Sequence, residues 1–166
     1  MPTARRTRTI AASRQELWEV LGDPHHLPRW WPRVNRVEAV TLAGTPHSGG
    51  GAGEFDAFTE VLMSGKGKMV RADFKRLQST SGQRIVWAQQ VENTPFARIL
   101  ASAETEINLS DGGVADDGPA TEVTIELRQT MHGFLARLGS HLVRRAAHST
   151  LDEALDGLER IVGRSI

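Results

Sequence analysis

Two hydrophobic periods divide the chain. From Val34 to Arg128 apolar residues recur at every second position. Val37, Ala39 and Thr41 alternate with Arg36, Glu38 and Val40. Phe55, Ala57, Thr59 and Val61 alternate with Glu54, Asp56, Phe58 and Glu60. Lys68, Val70, Ala72 and Phe74 form the next row, then Ile85, Trp87, Gln89 and Val91. Ile99, Ala101, Ala103, Thr105, Ile107 and Leu109 follow, and Val123, Ile125 and Leu127 close the series. A period of two predicts strands with one face covered and the other in water. Ser64-Gly65, Ser79 to Gln83 and Asn93-Thr94-Pro95 read as turns. Connections of hairpin length make the sheet antiparallel. Longer interruptions are expected as loops at Ala43 to Gly53, rich in glycine, and at Asp111 to Pro119, which is polar.

The period near 3.6 appears at the two ends. After a weak first strand, Arg5 to Ala11, Ser13-Arg14-Gln15-Glu16 is a capping box that satisfies two backbone donors reciprocally. The helix it opens carries Leu17, Trp18, Val20 and Leu21 on one face and stops at Gly22-Asp23-Pro24. A second short helix is expected over His25 to Trp31, split by Pro28 and ended by Pro32. The chain closes with a predicted helix of about 29 residues, Phe134 to Val162, roughly 43 Å long.

This last helix carries two apolar stripes. At 100° per residue Leu138, Leu142 and Ala146 fall within about 60° of Leu135. Leu151, Leu155, Leu158 and Val162 lie near 140–200°, on the opposite side. One straight helix does not bury both against one sheet. Either it bends near Ala147 to Thr150, or its first half faces a cavity mouth, a ligand or a second subunit, with His141, Arg144, Arg145 and His148 along the rim. The element order is strand, two short helices, six strands, one long helix. That order predicts an α+β fold, one domain over residues 1–166, with the helix covering one face of an antiparallel sheet.

The composition narrows the function classes. The chain has 166 residues, 20 Lys+Arg against 20 Asp+Glu, 39% hydrophobic and 24% charged residues. These ordinary globular values exclude a disordered chain, a collagen or a coiled-coil rod. Neutral balance argues against a dedicated nucleic-acid binder. No cysteine is present, which removes disulfides, thiolate metal sites, Fe–S clusters and a Cys nucleophile. Tyrosine is also absent. Lysine occurs only at 66, 68 and 75, leaving 17 arginines among 20 cations. That bias suggests a GC-rich, bacterial genome. No apolar run reaches the roughly 18 residues of a membrane span. Arg5, Arg6 and Arg8 precede no apolar core of a signal peptide. A cytoplasmic protein is expected.

The segment from Ile10 to Pro24, containing Ser13-Arg14-Gln15-Glu16-Leu17-Trp18, and the stretch Leu27-Pro28-Arg29-Trp30-Trp31-Pro32-Arg33-Val34 resemble the START/Bet v 1-like (SRPBCC) superfamily. They are most similar to its polyketide cyclase/dehydrase and lipid-transport branch. The motif match is specific over Ile10 to Val40, and the element order extends it along the chain. The resemblance implies a helix-grip fold, a curved seven-stranded antiparallel sheet wrapped around a long C-terminal helix and a cavity. It implies no particular reaction, since members include carriers, sensors, cyclases and ring-hydroxylase subunits.

No catalytic or metal set stands out from the residues themselves. Ser48-Gly49-Gly50-Gly51-Ala52-Gly53 precedes a strand pattern and lacks a Gly-Lys-Ser/Thr ending. It therefore reads as a loop rather than a phosphate cradle. Histidines 25, 26, 47, 132, 141 and 148 do not converge; 141 and 148 stand two helical turns apart, roughly 10.5 Å. Neither a metal nor a cofactor is expected. Glu54, Asp56 and Glu60, like Glu104 and Glu106, are assigned to the watered face, and Arg71 with Asp73 enters the cavity only if that assignment is inverted. Trp18, Trp30, Trp31 and Trp87 read as core anchors or as ligand-facing aromatics. Gln89, on an apolar row, needs a hydrogen-bond partner, and with Thr59 and Thr105 it supplies oriented polar groups to a ligand site.

The expected ligand-binding set is therefore Trp30, Thr59, Val70, Phe74, Trp87, Gln89, Thr105, Leu135, Leu138 and Leu142. The leading expectation is a carrier or sensor for an apolar or amphipathic, lipid- or polyketide-like small molecule. A cyclase or dehydratase using the same cavity is the second reading. A protein-interaction module, such as a homodimer through the first half of the last helix, is the third. An ionisable pair in the cavity favours the enzyme; Gln and Thr alone favour the carrier; a filled core favours the interaction module.

Overall fold

The computed structural model of the chain describes residues 3–42, 55–115, 118–133 and 140–163. The glycine-rich stretch Ser48 to Gly53, together with Leu135 and Leu138, lies outside the described residues.

The N-terminal strand β1 (Thr3–Ile10) leads into helix α1 (Arg14–Leu21). The capping box forms as the sequence requires: Ser13 Oγ accepts from the Glu16 amide at 3.1 Å, and Glu16 Oε2 accepts from the Ser13 amide at 2.7 Å. Asp23 then caps a 3-10 turn, Pro24–His26, which runs into α2 (Leu27–Trp30). Proline at the second position of α2 is compatible with helix, because an amide there has no intrahelical acceptor.

Six strands follow: β2 (Val34–Leu42), β3 (Phe55–Met63), β4 (Met69–Thr80), β5 (Arg84–Gln90), β6 (Leu100–Ala115) and β7 (Gly118–Met131). The sheet order is β1-β7-β6-β5-β4-β3-β2 and every pairing is antiparallel. Consecutive strands pair as hairpins, and β1 closes the far edge on β7. Helix α3 (Ser140–Val162) packs across one face, giving the helix-grip arrangement. Among the described residues no helix is long and apolar enough to cross a membrane.

Three local expectations change. In β2 the register shifts between Glu38 and Thr41, and Ala39 takes a left-handed φ of 50°. The bulge reverses the phase, so Val40 packs on the core while Ala39 and Thr41 are exposed. Asp111 to Pro119 is strand rather than loop over most of its length: β6 and β7 pair out to Ala115 and Gly118. The inward row of β3 is also inverted.

α3 shows the stripe reversal read from the wheel. Leu151, Leu155 and Leu158 are fully buried with Ala154 between them, whereas Leu142 is 57% exposed. Where the stripes change over, the Thr150 hydroxyl donates to the Ala146 carbonyl at 3.1 Å. Arg6 pairs with Asp152 at 3.2 Å, and Arg8 with Asp156 at 2.5 Å and Glu159 at 3.4 Å, tying the outer side of α3 to β1. Gly157 permits the closest helix contact. A β-carbon there would lie 2.6 Å from the Trp30 carbonyl oxygen and 2.9 Å from Trp30 Cα. The missing side chain lets the end of α2 rest directly on α3, which fixes Trp30 over the interior.

Candidate functional site: a cavity between the sheet and the last helix

The core does not fill the space that sheet and helices enclose. A cavity of about 670 Å³ remains, bounded by α2, the inner rows of β3 to β7 and the first half of α3. That is within the size range of sites for small organic ligands. Its floor is aromatic. Phe58 stacks on Phe74 with centroids 5.1 Å apart and planes at 8°, and meets Trp87 edge-on at 4.7 Å. Trp30, only 3% exposed, meets Trp31 edge-on at 5.4 Å on another side. Ala103, Ile107 and Leu127 continue the apolar surface across β6 and β7.

Of the residues expected from sequence, Trp30, Val70, Phe74, Trp87, Gln89, Thr105 and Leu142 line this cavity. Thr59 does not. It is buried on the other face of β3, where its hydroxyl donates to Asp73 Oδ1 at 2.5 Å. The cross-strand register explains the inversion: Phe58 opposes Phe74, Thr59 opposes Asp73, and Glu60 opposes Ala72. Apolar residues occupy both phases of β3, so the period alone does not choose a face. The aromatic stack does: in this register Phe58 stacks on Phe74 on the inner face, while Thr59 and Val61 are still buried on the other. Arg71 with Asp73 stays outside; Arg71 pairs with Glu38 at 2.5 Å on the exposed face.

The inversion brings a carboxyl group inside. Glu60, assigned from sequence to water, lines the cavity and is 7% exposed. No hydrogen-bond partner meets it among the described residues. Burial pushes its carboxyl up to about 8, from an ordinary value of 4.5. Two other charged residues border the cavity, Arg33 and Glu104, the latter with its carboxylate turned to the outer face of the sheet. Arg33 is exposed at the rim, and Glu104 accepts from Arg128 at 3.2 Å. Gln89 Nε2 and Trp30 Nε1, buried donors of two cavity-wall residues, have no acceptor among the described residues. Phe58, Glu60 and Gly157 are among the site-shaping residues that sequence reading missed. The helix-interior glycine was the available signal, since glycine there costs about 1 kcal/mol against alanine and marks a close approach.

Among the described residues no group of three or more His, Asp or Glu is placed to hold a metal ion. The wall offers apolar area, one neutral-leaning carboxyl and a few amide, hydroxyl and indole groups. Such a surface can desolvate an apolar body and orient one polar end.

The comparisons with known proteins agree with this architecture. The model of the family described as polyketide cyclase/dehydrase and lipid transport matches residues 1–163. A START superfamily protein of Mycobacterium smegmatis superposes with a TM-score of 0.71 at 16% identity, covering 96% of each chain. A protein of Thermus thermophilus gives 0.67 at 18% identity, over 96% of this chain and 95% of its own. A conserved protein of Geobacillus kaustophilus gives 0.67 at 15% identity, over 95% and 93%. At these identities the structural likeness speaks for the fold alone. No curated protein matches the sequence.

Proposed function

The chain belongs to the polyketide cyclase/dehydrase and lipid-transport family, and from that premise we propose that it binds an apolar or amphipathic small molecule inside the cavity, as a carrier or sensor. The observation that carries the proposal is the cavity itself: about 670 Å³ under the last helix, floored by Phe58, Phe74 and Trp87. A folded chain that leaves such a space beside a close-packed core forgoes dispersion contacts that a ligand can restore.

Binding is tested with N-phenyl-1-naphthylamine, an uncharged dye that brightens in apolar surroundings. We expect saturable binding near one dye per chain and an upward shift of thermal unfolding with dye concentration. Thr105→Trp, which projects a large ring into the cavity, should abolish the dye signal while the protein stays folded. Absence of saturable binding by the unmodified chain would end this reading.

One feature favours a second reading. Burial pushes the Glu60 carboxyl up to about 8 in a largely apolar pocket, the range that suits a general acid or base of a cyclase or dehydratase. Against it, Glu60 has no ionisable partner within hydrogen-bond reach among the described residues. Turnover with a pH profile that Glu60→Gln abolishes would establish the enzyme.

A further inference from the structure

Resting on the reading of the cavity as a ligand site, we propose that Glu60 selects the ligand's polar end: in its protonated form it hydrogen-bonds an uncharged oxygen acceptor, a carbonyl or ether, and disfavours carboxylate and ammonium ends.

Geometry supports this first. Glu60 projects from the middle of β3 into the cavity, between Phe58 and Leu62 on its own strand. Its cross-strand neighbours are Val37 on β2 and Ala72 on β4. From α2 and the segment after it come Trp30, Trp31 and Pro32, with Arg33 exposed at the rim. The facing half of α3 brings Val143, Ala146, Ala147 and Thr150. Of these described residues only Arg33 carries a charge, and the cause that raises the Glu60 carboxyl is burial. Glu104 borders the cavity from β6, but its carboxylate is held by Arg128 on the outer face of the sheet.

Charge then decides the class. Surroundings that keep the protein's own carboxyl neutral disfavour a ligand carboxylate for the same reason: an unpaired charge there loses its hydration and gains no counter-ion. An ammonium end requires Glu60 to ionise first. It also brings only donors to a wall that already has unpaired donors at Gln89 Nε2 and Trp30 Nε1. An oxygen acceptor meets the protonated carboxyl as it stands. The bound state then holds the proton, so affinity falls once pH exceeds the carboxyl's own value.

The test displaces N-phenyl-1-naphthylamine with three ligands of one chain length: dodecan-2-one, whose carbonyl only accepts, dodecanoate and dodecylammonium. Each is titrated at about pH 6 and about pH 9, against the unmodified protein and Glu60→Gln. Dodecan-2-one should bind about tenfold more weakly at the higher pH, the loss expected when only the protonated fraction is competent. Glu60→Gln, which is neutral at both values and of the same shape, should bind dodecan-2-one with no such dependence. Dodecanoate should be at least about tenfold weaker than dodecan-2-one at the lower pH, because it must bring a proton or an unpaired charge with it. Dodecan-2-one affinity independent of pH in the unmodified protein would overturn the proposal, as would dodecanoate equal to dodecan-2-one. So would dodecylammonium binding that is tightest of the three and strengthens with pH. In each of these results the dye still binds and the cavity reading stands. If the dye itself does not bind, both fall together. Dye binding by Glu60→Gln confirms that the variant keeps its cavity.

Discussion

The two faces of the sheet treat glutamate in opposite ways. On the outer face Glu104, Glu106 and Glu126 converge on Arg128, and Glu106 also accepts from Arg84 Nε at 2.7 Å. Burial pushes the Glu106 carboxyl up, but the hydrogen bonds and charges of Arg84 and Arg128 outweigh it and hold the group below its usual range. On the inner face Glu60 meets no counter-charge within hydrogen-bond reach among the described residues, and burial drives it up to about 8. The residue type and the sheet are the same. What differs is a counter-charge within reach. A carboxylate that serves structure is given an arginine; one left without a partner on a cavity wall is available to a ligand.

The strongest way to break this contrast is the pH dependence of stability. Unfolded, the Glu60 carboxyl releases its proton near 4.5, whereas folded it keeps it to about 8. Below the unfolded value both states hold the proton and the fold has its full stability. As pH rises through the window the unfolded state alone gains from ionising, so stability falls, by about 5 kcal/mol in all, and levels off above the folded value. Urea unfolding across that range should show the decline in the unmodified protein and lose this component in Glu60→Gln. Identical slopes for the two proteins would mean that Glu60 is not desolvated.

A second test carries the comparison to α3, whose two halves also face different surroundings. Leu155→Ala empties a fully buried site and should cost about 2–5 kcal/mol. Leu142→Gln, at an exposed position on the cavity border, should change stability by no more than about 0.5 kcal/mol while altering dye affinity. Equal losses would show both stripes buried in one core.

A smaller effect is expected at the helix contact that seats Trp30. Gly157→Ala gains helix propensity but drives a methyl into the Trp30 backbone, and should destabilise by about 1–3 kcal/mol net. Trp30 fluorescence should shift with it; an unchanged or more stable variant would mean that α2 moves aside freely.

The smallest effect belongs to the outer face. Glu106→Gln should cost about 1 kcal/mol near neutral pH, since the network is partly screened by solvent. Its sign is opposite to that of Glu60: the contribution is present above the unfolded carboxyl value and is lost as pH falls through the lowered one. A cost that stays the same or grows as pH falls into the acid range would contradict the pairing.

The helix-grip order was legible because each element carries its own period and stops. Ser13 and Glu16 cap α1 whatever lies around them, and the turn residues set strand lengths within a few positions. The wheel of α3 likewise needed no neighbours to separate Leu142 from Leu151, Leu155 and Leu158. Most of the cavity wall followed, since Val70, Phe74, Trp87 and Thr105 lie on rows with one apolar phase. β3 did not follow, because Phe55 and Val61 favour one phase and Phe58 and Leu62 the other. Local sequence is symmetric there; only pairing with β4, which stacks Phe58 on Phe74, decides which face turns inward. The same decision carries Glu60 out of water. Strand order, bulges and the register between neighbours are long-range facts, and a one-residue change of phase moves every side chain of a strand to the other face. The raised carboxyl of Glu60 is thus a property of the tertiary structure: the sequence determines that a glutamate stands at position 60, and packing determines that it is buried with no arginine among the described residues paired to it.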